Sequence, residues 1–135
     1  MKLLLGTSII VDILSRRDGY EESLSILKCC EVNIAEGFVS TATIMDVMYI
    51  LRKHINADKM KEAIRTLLAI VSVAEIREAD IHSAFDSGML DFEDAVQAFC
   101  ARRIKMDYVV TRNKKDYAKS PVPALLPSEM LPILH

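Results

Sequence analysis

The sequence predicts an α/β fold, a three-layer α/β/α sandwich with a mostly parallel central sheet. Short apolar runs alternate with longer stretches of helical periodicity through most of the chain. The clearest runs are apolar throughout, as in strands buried on both faces. Strands separated by helices make parallel neighbours with right-handed crossovers, which places helices on both sides of one sheet. At 135 residues the chain is read as a single domain, 1–135, large enough to bury about two-thirds of its unfolded surface.

The elements follow in order. Lys2 to Leu5 reads as a buried strand, and a short helix follows around Ile9 to Ser15. Tyr20 to Glu31 is a clearer helix, with Leu24, Leu27 and Cys30 on one face. Gly37 to Val39 is strand-like. Ser40 or Thr41 then caps a helix from Ala42 to His54, with Ile44, Val47, Met48 and Leu51 as its apolar stripe. A further helix runs from Ala57 to Ala69, and "IVSVAEI" is the next strand. "READIHSAFDSG" is a short helix closed by Gly88. Phe92 to Lys105 is amphipathic, "DYVVT" is a short apolar strand, and "PALLP" is the last strand. No linker, repeat or low-complexity segment divides the chain.

Composition excludes several classes. Hydrophobic residues at 51% and charged residues at 27% fit a globular protein rather than a disordered one. A net charge of -2 gives no global attraction to nucleic acid, so such binding needs a local patch. One candidate is the run from Arg102 to Lys119, with Arg102, Arg103, Lys105, Arg112, Lys114, Lys115 and Lys119; a solvated surface is the alternative. Cys29, Cys30 and Cys100 have neither disulfide-framework nor zinc-knuckle spacing, and buried reduced thiols are expected. The apolar segment Leu3 to Leu14 is interrupted by Gly6, Thr7, Ser8 and Asp12, so it is not read as a signal peptide. No stretch is long enough to span a bilayer. A cytoplasmic protein without membrane association is expected.

Functional groups in such a sheet gather beyond the carboxyl ends of the strands. Asp46 lies on the first turns of the helix after "GFVS". Asp91 and Asp94 in "LDFEDA" are three apart at a helix start and share a face. Asn113 and Asp116 directly follow the strand "DYVVT". Any one of these is accounted for by helix capping or the helix dipole. Taken together, oxygen groups from separated segments are what Mg²⁺ or Mn²⁺ requires, and metal-assisted phosphodiester hydrolysis makes nucleic acid the substrate class. His54, His82 and His135 do not converge, and no glycine-rich phosphate loop occurs. Met45, Met48 and Met60 fall at helical positions that suit core filling.

The ordered segments "LLLGTSIIVDIL", "VSTATIMDVMYILRK", "LDFEDAVQAFCARR", "DYVVTRNKKDY" and "PVPALLPSEML" resemble the PIN-domain family over essentially the whole chain. The resemblance implies a metal-dependent ribonuclease, similar to the virulence-associated-protein toxins held inactive by an antitoxin, and a homodimer. It assigns Asp46, Asp94, Asn113 and Asp116 as catalytic and metal-binding residues. Thr7, Ser8, Asp91 and Thr111 support them. Gly6 is the departure, because the family places its first metal-binding aspartate at this position. Loss of that carboxylate implies weaker metal binding and weakened or lost activity. Asp12, six residues on, faces elsewhere on the helix and is not expected to compensate. Two further readings stay open: a catalytically silent PIN-fold protein that binds RNA or a protein, and an interaction domain whose acids only cap helices. The Met45, Met48 and Tyr49 face is a candidate dimer or antitoxin contact, with core packing as its alternative use.

Overall fold

A computed structural model describes residues 1–135. Five strands form one sheet: β1 (Lys2–Leu5), β2 (Glu36–Ser40), β3 (Ser72–Ala74), β4 (Tyr108–Val110) and β5 (Ala124–Leu125). Their order across the sheet is β3-β2-β1-β4-β5, and every pair is parallel. Seven helices connect and cover them: α1 (Thr7–Ser15), α2 (Tyr20–Glu31), α3 (Thr41–Leu51), α4 (Ala57–Ile70), α5 (Glu78–Phe85), α6 (Phe92–Arg103) and α7 (Pro127–Leu134).

β1 is central, and its three leucines are fully buried because helices cover both faces. Leu3 and Leu5 enter a core shared with Ile9, Ile26, Val47, Leu67 and Met130, on the side of α1, α2, α3, α4 and α7. Leu4 points the other way, among Ala98, Ala101, Val109 and Tyr117 on the α6 side. This alternation produces the three layers.

Several boundaries differ from the sequence reading. α1 starts at Thr7, directly after the strand, and α3 ends at Leu51 rather than His54. Of "IVSVAEI", only Ser72–Ala74 pairs in the sheet, since Ile70 closes α4 and Val71 caps it. Ser40, not Thr41, caps α3 by accepting from the Thr43 N–H at 3.1 Å. α7 and a 3-10 turn over Lys114–Tyr117 are additional; α7 opens on Pro127, a residue that suits a first helical turn. Met60 is buried, whereas Met45 and Met48 are exposed, so core filling holds for only one of the three. The three cysteines are buried and free. No helix is long and apolar enough to cross a membrane.

Candidate active site at the carboxyl edge of the sheet

Because all strands run the same way, their carboxyl ends share one edge. β1 delivers Gly6, Thr7 and Ser8 there, β2 leads into α3 with Thr43 and Asp46, and β4 leads into Thr111, Asn113 and Asp116. α6, which runs back toward the start of β4, begins beside them with Asp91, Glu93 and Asp94.

Two carboxylate groupings result. In the first, Asp46 and Glu93 share a hydrogen bond, which holds the Glu93 pKa up at about 8; partial burial and the charges of Asp46, Asp91 and Asp94 push in the same direction. At neutral pH this pair retains a proton. In the second, burial raises Asp94 to about 6, with repulsion from Asp91 and Asp116 adding to it and the Tyr117 hydroxyl drawing it down. That hydroxyl donates to Asp94 Oδ1 at 3.1 Å. Asp91 has a structural duty as well, since its carboxylate caps α6 by accepting from the Asp94 N–H at 2.9 Å.

Hydroxyl groups fasten the strand ends together. Thr7 and Thr43 bring their Oγ1 atoms to 3.0 Å, and Thr43 donates onward to the buried Gln97 Oε1 at 3.3 Å. Ser8 Oγ accepts from the Arg112 N–H at 3.1 Å, and Thr111 Oγ1 accepts from the Asn113 N–H at 3.0 Å. Asn113 itself is exposed and forms no side-chain hydrogen bond within the chain.

Gly6 is buried against β4, donating its N–H to the Val110 carbonyl at 2.9 Å. Its backbone, φ -68° and ψ 163°, is extended and open to any residue. A Cβ would stand 3.2 Å from the Val110 oxygen and 3.9 Å from Thr111 Oγ1, a tight contact that asks the Val110 carbonyl to give by a few tenths of an ångström. The conformation therefore gives no reason for glycine. Asp12 is buried and engaged in an ion pair with Arg112 at 2.7 Å.

The basic run is less free than its sequence suggests. Arg103 pairs with Asp80, Arg112 with Asp12 and Lys114 with Glu129, while Arg102, Lys105, Lys115 and Lys119 form no ion pair. Glu93 and Tyr117 are the members of this carboxylate edge that the sequence reading missed. Glu93 is visible inside "DFEDA", but residues one apart do not share a helix face, and only the fold brings Asp46 to it. Tyr117 follows Asp116 and betrays itself only as an aromatic that packs while keeping a polar tip.

The donor chemistry fits Mg²⁺ or Mn²⁺, being oxygen-only with enough accumulated negative charge to keep carboxyls protonated. As the side chains stand, no three of the chain's His, Cys, Asp and Glu residues gather closely enough to hold one ion.

A family model described as "PIN domain" matches residues 2–115. The chain belongs to the PIN-domain family. Solved structures that share this PIN fold include VapBC2 from Rickettsia felis, described as bound to a DNA fragment from its promoter. That structure has a TM-score of 0.71 at 15% identity, covering 93% of this chain and 98% of that one. A toxin-antitoxin complex from Klebsiella pneumoniae gives 0.71 at 23% identity, with 93% and 97% covered. VapC20 from Mycobacterium tuberculosis, described as a sarcin-ricin loop cleaving toxin, gives 0.60 at 14% identity, with 79% and 86% covered. No curated protein matches the sequence.

Proposed function

We propose that this PIN domain is a metal-dependent endoribonuclease, the toxin of a toxin-antitoxin pair, with activity weakened by the missing carboxylate at Gly6. The observation that carries the reading is the placement of two carboxylate groupings, Asp46 with Glu93 and Asp94 with Asp116, along the carboxyl edge of a parallel sheet, where proximity and burial raise the pKa values of Glu93 and Asp94. RNA as substrate is supported by the family and by the described action of VapC20.

Asp46, Asp94, Asn113 and Asp116 would hold Mg²⁺ or Mn²⁺, which supplies a Lewis acid for phosphodiester hydrolysis when bound. The chain's own residues prepare that edge. Tyr117 orients Asp94, Asp91 fixes the first turn of α6, and Thr111 holds the turn that carries Asn113. The proton that Glu93 shares with Asp46 has to leave before the edge carries its full negative charge, so cation binding would strengthen as pH rises toward 8.

An antitoxin partner is supported by the complexes among the similar structures and by an apolar groove of about 520 Å³ between α1, α2 and α4, lined by Ile10, Ile13, Leu24, Leu27 and Leu67. A homodimer is supported by Met45 and Tyr49, 68% and 65% exposed on α3. Such a protein acts in the cytoplasm, where its RNA substrate lies. A second reading, a silent PIN-fold module that binds RNA or a protein, is favoured by Gly6 and by the lack of three converging acids.

One experiment separates the two. Cleavage of a mixed RNA pool is followed with Mn²⁺ and with Mg²⁺ for the native chain, Gly6→Asp, and Gly6→Asp combined with Asp94→Asn. Cutting by Gly6→Asp and not by the double variant establishes a nuclease short of one ligand. Absence of cutting by all three rejects the nuclease and leaves the binding module.

A further inference from the structure

Phe85 closes α5 and Phe92 opens α6, and their rings meet in solvent with centroids 4.8 Å apart and planes inclined by 37°. Phe85 is 70% exposed and Phe92 is 47% exposed. Rings of this size ordinarily dominate a core, and these two are held outside it on rigid helix ends. The connecting loop is itself tied down. The Asp86 N–H donates to the Ser83 carbonyl at 3.2 Å, Ser87 Oγ to the Ala84 carbonyl at 2.9 Å, and the Met89 N–H to Ser87 Oγ at 3.1 Å. Over that loop lies Lys119, whose ammonium would stand 3.8 Å from a Cβ at Gly88 and which forms no ion pair. The Asp91, Glu93 and Asp94 carboxylates flank Phe92 in the same turn.

From this juxtaposition we infer that Phe85 and Phe92 are a stacking platform for the bases of single-stranded RNA, with Lys119 on its phosphates, leading the strand to the carboxylate edge. The inference rests on the nuclease reading and adds how substrate is held. Every base offers a π-face, so exposed aromatic rings beside a free cation grip a single strand without reading its sequence.

The test is a fluorescence anisotropy titration of a short labelled single-stranded RNA of mixed sequence, without divalent cation so that nothing is cut. The full chain is compared with Phe85→Leu, Phe92→Leu, their combination, Phe92→Tyr and Lys119→Gln. Circular dichroism checks the fold, and sedimentation gives the association state. The platform predicts that the double leucine variant, apolar but without ring faces, binds at least about tenfold more weakly. Phe92→Tyr keeps the affinity, and Lys119→Gln lowers the salt slope by about one. If the native chain binds RNA and the leucine variants bind equally well, the platform is rejected while the nuclease reading stands. If the native chain binds no RNA, the platform is rejected, and the nuclease reading is decided by the cleavage assay alone. If the leucine variants change the association state and not RNA binding, the aromatic face joins protein to protein and the platform is rejected.

Discussion

The Tyr117 hydroxyl donates to Asp94 Oδ1 at 3.1 Å, joining the turn after β4 to the first turn of α6. Burial raises Asp94 to about 6, and this bond draws it down. Tyr117→Phe keeps the buried ring and removes only the hydroxyl. The expected result is an Asp94 titration midpoint above its native value, read by carboxyl-carbon NMR, and a stability loss of about 1 kcal/mol in urea unfolding. An unchanged midpoint would mean that the bond does not hold the carboxylate.

Glu93 and Asp94 titrate in the fold at about 8 and about 6, against ordinary values of 4.5 and 3.8. A carboxyl with a raised folded pKa makes the native state bind more protons than the unfolded chain, so its stabilising contribution is full at low pH and fades as pH rises through the folded pKa. These two groups therefore cost stability progressively between about pH 4 and about pH 8. Glu93→Gln is expected to raise the Tm at alkaline pH and to flatten its decline, measured by calorimetry. A fall in Tm at alkaline pH would contradict the crowding of Asp46 and Glu93.

Divalent cation should relieve the same crowding. Mg²⁺ or Mn²⁺ is expected to raise the Tm at about pH 8 and to have little effect near pH 5, where protons already occupy the site. Potassium at matched ionic strength serves as the control. A Tm equally insensitive to the divalent ions at both pH values would mean that the carboxylates do not bind them.

The Arg112–Asp12 ion pair at 2.7 Å spans the turn after β4 and helix α1, and Arg112 also donates to the Asp18 carbonyl at 2.6 Å. Asp12 is buried while the guanidinium is partly exposed, so removing one partner costs less than in a fully enclosed pair. Arg112→Met is expected to destabilise by about 2 kcal/mol in chemical denaturation. A double-mutant cycle with Asp12→Asn isolates the coupling.

Gly19 is tied to the same clasp. Its φ of +86° lies in the left-handed region, and a Cβ there would collide with the Arg112 Nη2. Gly19→Ala is expected to cost about 2 kcal/mol, from backbone strain together with displacement of the guanidinium. Combining it with Arg112→Met should cost less than the sum of the two, which urea melts can resolve.

Strands and helices were legible where one period dominated. The leucine run of β1 and the helical spacing of α2 identify themselves, and both lie where expected. β3 was overread because the buried end of α4 and the strand share one apolar run, and periodicity alone cannot divide them. α7 begins on proline directly after β5, and the sequence reading stopped at the strand. Of the candidate site, Asp46, Asp94 and Asp116 stand out by their positions after strands or at helix starts, which local sequence encodes. Glu93 owes its raised pKa first to Asp46, 47 positions away (93 minus 46), and no local pattern carries such a pairing.

The central strand finds one of its two neighbours very late. Leu3 pairs with Tyr108, and the Lys2 N–H donates to the Asp107 carboxylate at 2.7 Å, 105 positions along the chain. During synthesis the first strand and its helix emerge long before β4 exists to flank them, and Asp94 has no hydroxyl to orient it until Tyr117 has left the ribosome. A polypeptide cut short before β4 cannot complete the sheet edge, whatever chemistry that edge performs. The sheet edge therefore waits on a contact 105 positions along the chain, so its completion is a late event in folding.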